Sequence, residues 1–104
     1  MGASVVYTIA LSGEDKLKVE FKKNRGRISF FIVQYYGLIG GRWRTIMRID
    51  TCHGYPHKHT YYLRRRQLNI ALGTKEDNNR VLTESLRFVK KNFQKIKENF
   101  LIRN

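Results

Sequence analysis

Leu82-Thr83-Glu84-Ser85-Leu86-Arg87-Phe88-Val89 opens the stretch that decides the fold, because the periodicity of the chain changes here. Leu82, Leu86, Val89, Phe93, Ile96 and Phe100 are spaced alternately by four and three, which places them on one stripe of an α-helix of about 25 residues. Asp77 or Asn78 is its expected cap, since a short polar side chain satisfies the free N–H groups of a first turn. The opposite face carries Arg87, Lys90, Lys91, Lys95 and Lys97, so the apolar stripe reads as core.

Before this point the period is two. Val5, Tyr7, Ile9 and Leu11 alternate with smaller residues, Ser12-Gly13-Glu14-Asp15 supplies a turn, and Leu17, Val19 and Phe21 alternate with Lys16, Lys18, Glu20 and Lys22. These are two strands, the second half-exposed. Asn24-Arg25-Gly26 signals a tight turn, and Ile28 to Tyr36 is apolar on both parities, the pattern of a central strand covered on both faces. Gly37 to Gly41 interrupts it. Trp43, Thr45, Met47 and Ile49 then share one face of a fourth strand, with Arg42, Arg44 and Arg48 as a basic stripe on the other. His57 to Arg66 reads as a fifth strand and Leu68 to Leu72 as a short sixth. The expected fold is α+β: one domain over 1–104, an antiparallel sheet of five or six strands with one long C-terminal helix packed on one face.

The chain has 104 residues with 21 Lys plus Arg against 8 Asp plus Glu, a net charge of +13. A polyanion is the expected partner. Hydrophobic residues make up 41% and aromatic residues 12% of the chain and are spread along it, so the charge sits on a folded body. Cys52 is the single cysteine, which excludes an internal disulfide, and no signal-peptide pattern or apolar run of about 20 residues occurs. A cytoplasmic protein with no membrane partner is expected.

All three histidines fall in His53-Gly54-Tyr55-Pro56-His57-Lys58-His59, directly after Arg48-Ile49-Asp50. Histidine both takes and gives protons near neutrality and also ligates metals. His57 and His59 point the same way on a strand, which suits a metal site completed by His53, Asp50 or Cys52, although Arg48, Lys58 and Arg64 would repel a divalent cation. It also suits metal-free cleavage of RNA. There a 2′-hydroxyl loses a proton, the 5′-oxygen gains one, and a cation stabilises the phosphorane. Arg48 is the candidate phosphate clamp, Asp50 the orienting group, and Gly54 and Pro56 the turn that returns His53 to the pair. Cys52 is a weaker candidate nucleophile. Arg42, Arg44, Lys58, Arg64, Arg65 and Arg66 are the candidate nucleic-acid contacts, and Tyr35, Tyr36, Tyr55, Tyr61 and Tyr62 the candidate stacking residues.

Arg48-x-Asp50, His53 and Pro56-His57-Lys58-His59 resemble the motif of the TumE-type toxins of prokaryotic toxin–antitoxin pairs, and are also similar to small uncharacterised proteins with a His-Gly-x-x-His core. The likeness covers roughly residues 42 to 62. It implies a ribonuclease-like toxin neutralised by an antitoxin, with Arg48, Asp50, His53, His57 and His59 in the matching positions. Three functions follow: a metal-independent endoribonuclease, a non-catalytic nucleic-acid-binding module, or a histidine-based metal-binding protein. RNA is the expected ligand and an acidic antitoxin the expected protein partner, with a homodimer left open and no cofactor or metal expected. The hairpin register separates two arrangements: pairing Asp50 with His57 puts the histidines on the Arg44/Arg48 face, and a slip of one residue puts them with Trp43 and Met47.

Overall fold

The computed structural model describes residues 3–52, 54–61 and 68–102. Six antiparallel strands follow one another in a meander, β1 Ala3–Ser12, β2 Asp15–Asn24, β3 Arg27–Ile39, β4 Arg42–Asp50, β5 His57–Thr60 and β6 Leu68–Ala71. A 3-10 turn, Lys75–Asp77, leads into α1, Asn78–Ile102, which lies over β3 and β4. The fold is α+β, one sheet with one C-terminal helix on one face. No helix among the described residues is long and apolar enough to cross a membrane.

The core lies between α1 and the near face of the sheet. Leu17 pairs with Tyr35, Val19 with Val33 and Phe21 with Phe31, and Met47 and Ile49 continue the same face across β4. Leu82, Val89 and Phe100 meet them as expected, with Leu86, Phe93 and Ile96 half-buried along the same stripe. Burying a side chain of this size contributes about 1.5–3 kcal/mol. β3 is central, but from Phe31 to Gly37 its buried residues are the odd-numbered ones alone. Phe30, Ile32 and Tyr36 on the far face are half-buried. Apolar residues on both parities therefore do not mark a strand covered on both sides here.

Two contacts fix the helix on the sheet. The N-terminal end is stapled by Asn79, whose Oδ1 accepts the Ile28 N–H at 2.8 Å and whose Nδ2 donates to Gly26 O at 2.9 Å, and by Asn78 Nδ2 donating to Ile28 O at 3.1 Å. Further along, Tyr35 Oη donates to Asp15 Oδ1 at 2.6 Å, Ser12 Oγ donates to Oδ2 at 2.6 Å, and Lys97 Nζ lies 3.3 Å from the same carboxylate. Lys97 therefore turns toward the sheet instead of joining the solvent face of the helix. Burial would raise the Asp15 carboxyl, but the hydrogen bonds from Ser12, Tyr35 and Lys97 outweigh it and hold it below its ordinary range. Burial and the adjacent Asp15 push the Tyr35 hydroxyl up. The cap also differs from expectation: Thr74 precedes the 3-10 turn, Asp77 Oδ2 accepts the Thr74 N–H at 2.9 Å, and Asn78 sits inside the helical run.

β4 departs from the sequence pattern. Tyr35 pairs with Met47 but Tyr36 pairs with Thr45, so Ile46 is an extra residue, a β-bulge. Ile46 is fully buried. A Cβ at Gly37 would collide with Ile46 Cδ1, so the glycine opposite leaves the room the bulge needs. The bulge shifts parity: Arg44 now pairs with Gly37 on the helix side, where its guanidinium lies 6.0 Å from the Phe100 ring, while Trp43 and Thr45 turn to the open face with Arg48. The expected stripe of Arg42, Arg44 and Arg48 is thus split. β5 is also shorter than expected, ending at Thr60, and the remainder of the proposed strand, 62–66, lies outside the described residues.

Tyr35→Phe should destabilise the protein by about 1–3 kcal/mol in urea unfolding, because a buried carboxylate loses a donor. Gly37→Ala should cost a similar ~1–3 kcal/mol by forcing Ile46 from its place.

Candidate functional site

β4 and β5 pair with Asp50 opposite His57 and Arg48 opposite His59. Of the two registers the sequence allows, this one puts the histidines on the open face with Arg48. β6 adds Asn69 opposite His59. Since residues of one parity share a face, three strands deliver Arg48, Asp50, His57, His59 and Asn69 to one patch.

Asp50 is its centre. It is 1% exposed, and Arg48 Nε donates to its Oδ2 at 2.6 Å while the Cys52 N–H donates to Oδ1 at 3.0 Å. His57 Nε2 lies 3.6 Å from Oδ1 and His59 Nε2 lies 3.5 Å from Oδ2. Burial works to raise the carboxyl, but the Cys52 hydrogen bonds and the Arg48 guanidinium outweigh it and hold Asp50 below the usual carboxylate range. The site carries a fixed negative charge answered by one guanidinium.

Each imidazole is oriented by its other nitrogen. His57 Nδ1 lies 3.2 Å from Tyr55 O and His59 Nδ1 lies 2.7 Å from Asn69 Oδ1. Oxygen acceptors call for a proton on each Nδ1, with each Nε2 turned toward Asp50. The two rings pack edge to face with centroids 4.5 Å apart, Tyr55 packs on His57 and Tyr61 stacks near His59. The exposures differ. The His57 side chain is 6% exposed, that of His59 15% and that of Arg48 30%. His59 and Arg48 are thus the groups an incoming molecule meets, with His57 and Asp50 behind them.

The loop between the strands is tied down. Thr51 Oγ1 accepts the Phe31 N–H at 3.0 Å, the Thr51 N–H donates to Phe31 O at 3.2 Å, and the Gly54 N–H donates to Thr51 O at 2.9 Å with Gly54 at a φ of 87°. Pro56 is buried and its carbonyl accepts the Leu72 N–H at 2.8 Å. Gly54 and Pro56 thus lie in the turn between the strands, and His53, which this turn was expected to return to the pair, lies outside the described residues. Partial burial and the Asp50 carboxylate push the Cys52 thiol up, which disfavours the thiolate a nucleophile needs.

The candidate nucleic-acid contacts are dispersed. Arg42 and Arg44 are exposed at the start of β4 on the helix side, and Lys58 points toward α1 with Nζ 5.7 Å from the Phe88 ring. Arg64, Arg65 and Arg66 lie outside the described residues. Tyr35 is core and unavailable for stacking. Asn69 was not a sequence candidate; its signal is a polar residue between Leu68 and Ile70 on the parity that faces the histidines.

Fold and site together define a two-layer α+β protein whose open sheet face carries an oriented histidine pair around a buried aspartate–arginine pair. The chain belongs to the DUF7718 family, a domain of unknown function whose model matches residues 1–104. No curated protein and no solved structure matches the chain.

Because Asp50 is held below its value of about 3.9 in an unfolded chain, it contributes stability above roughly pH 4 that is lost as pH falls through its folded pKa. Asp50→Asn should lower stability at neutral pH by on the order of 1–3 kcal/mol and remove this part of the acid dependence. Urea midpoints of both proteins from pH 7 to pH 3 should therefore converge toward acid.

Proposed function

We propose that this chain binds RNA and cleaves it without a metal, using the Arg48–Asp50–His57–His59 patch. The observation that carries the proposal is one buried carboxylate holding a guanidinium and two imidazoles on the open face. A phosphodiester needs these partners: a cation against the phosphate oxygens and imidazoles that move two protons. Arg48 faces the phosphate and His59 the 2′-hydroxyl. That hydroxyl gives up its proton, its oxygen attacks phosphorus, and the bond to the 5′-oxygen breaks as that oxygen takes a proton. The products are a 2′,3′-cyclic phosphate and a free 5′-hydroxyl, and both protons pass through the imidazole pair. His57 shares the two proton transfers with His59, and Asp50 is the positioning residue. The net charge of +13 supplies the attraction for the polyanion. The likeness of this segment to TumE-type toxins supports the same chemistry and adds an acidic antitoxin as protein partner.

A second reading has an observation of its own. Ligand atoms of Asp50, His57 and His59 all lie within 4.8 Å of one another, a two-histidine, one-carboxylate set that fits a divalent transition metal. Each nitrogen not facing the centre has an oxygen partner, as metal-ligating histidines usually do. Against it, both Asp50 oxygens already accept hydrogen bonds, and the Arg48 charge lies 2.6 Å from one of them.

His59→Ala should lower the rate of RNA cleavage by roughly 10²-fold or more while leaving RNA affinity within a few fold, and DNA, which lacks the 2′-hydroxyl, should not be cut. Chelator should leave the rate unchanged. Affinity and cleavage falling together by one small factor would leave a binding module without catalysis. One metal per chain after purification, lost in His57→Ala, would replace the metal-free reading.

A further inference from the structure

The open face carries a second feature beside the histidine patch. β2, β3 and β4 bring Lys16, Tyr36 and Trp43 together, with Lys16 Nζ 4.1 Å from the Trp43 ring centroid and 5.6 Å from that of Tyr36. Trp43 is 43% exposed, a large aromatic surface left in water under a cation. This group lies on the same face of the sheet as the site. Lys18 pairs with Gln34, Gln34 with Arg48, and Arg48 with His59, so one row runs across the sheet into the patch, and Gln34 Nε2 donates to Thr45 Oγ1 at 2.7 Å between the two. Along β2 the open face shows Lys16, Lys18 and Lys22 against Glu20 alone.

We propose that this face binds single-stranded nucleic acid, an unpaired base stacking on Trp43 and Tyr36 while Lys16 and Lys18 meet the phosphates and the strand runs on to Arg48 and His59. The inference names the substrate of the RNA site above and rests on that reading. Exposed aromatic rings take unpaired bases, because the π-face of a base inside a duplex is already covered. Lysines of one sign facing each other across a two-fold contact would repel, so a second copy is a poor occupant. At about 3.3 Å per residue, Trp43 stands on the order of 15 Å along β4 from Arg48, which calls for a strand of about four nucleotides or more.

Trp43 is the only tryptophan in the chain, so its fluorescence reports this one position. Titrating His59→Ala protein, which spares the substrate, with a short oligouridylate should quench it saturably. Trp43→Leu should weaken binding of the labelled oligomer by roughly tenfold. Lys16→Ala with Lys18→Ala should cost several fold and flatten the salt dependence. The same oligomer annealed to its complement should quench little. Binding with unchanged fluorescence and unchanged affinity in Trp43→Leu would overturn the proposal, as would polyglutamate quenching and competing equally well, which would make this a face for acidic polypeptide. The two readings fail separately. RNA cleavage by the unmutated protein without a Trp43 response sinks the stacking face alone; quenching without any cleavage sinks the catalytic reading and leaves the face.

Discussion

A carboxylate sealed from water must have its charge answered within hydrogen-bonding reach, and Asp50 imposes that demand on two strands and the turn between them. Arg48 answers from the same strand, the Cys52 N–H answers from the turn that follows, and the imidazoles close the remaining sides from the partner strand. The register between β4 and β5 is what brings the imidazoles to it; a slip of one residue would put Lys58 there instead, with the histidines on the other surface. Thr51 ties the turn to Phe31 of β3, and the Pro56 carbonyl ties it to Leu72.

A second buried carboxylate does comparable work on the opposite face. Asp15 draws Ser12, Tyr35 and Lys97 to itself and so links the β1–β2 turn, the central strand and the helix. The two surfaces of the sheet are thus organised alike, each around one acidic residue in a strongly basic chain. One gathers packing partners. The other gathers groups that exchange protons and meet phosphate in the proposed chemistry.

Much of this was legible in the sequence. The change from period two to period three and four located the helix at Asn78, and alternation located the strands, because both signals come from burial on one face. The histidine cluster after Arg48 and Asp50 marked the patch. Three things were not legible, each because it depends on how one element pairs with another. The register needed the compensation of Asp50, which several neighbouring positions satisfy on paper. Lys97 looked like a solvent residue until Asp15 lay across from it. Ile46 reads as an ordinary apolar residue on a basic-stripe parity, and only the pairing of Tyr35 with Met47 and Tyr36 with Thr45 reveals that it is supernumerary.

That extra residue makes side a matter of counting. Trp43 and Arg48 are separated by an odd number of positions and yet look out from the same surface, while Arg44 and Arg48, separated by an even number, look out from opposite ones. Shortening the chain by one residue at Ile46 would therefore do what no single substitution does. It would transpose the entire segment from Arg42 to Thr45, turning the indole under the helix and the guanidiniums of Arg42 and Arg44 onto the outer surface, with every one of those residues chemically unaltered.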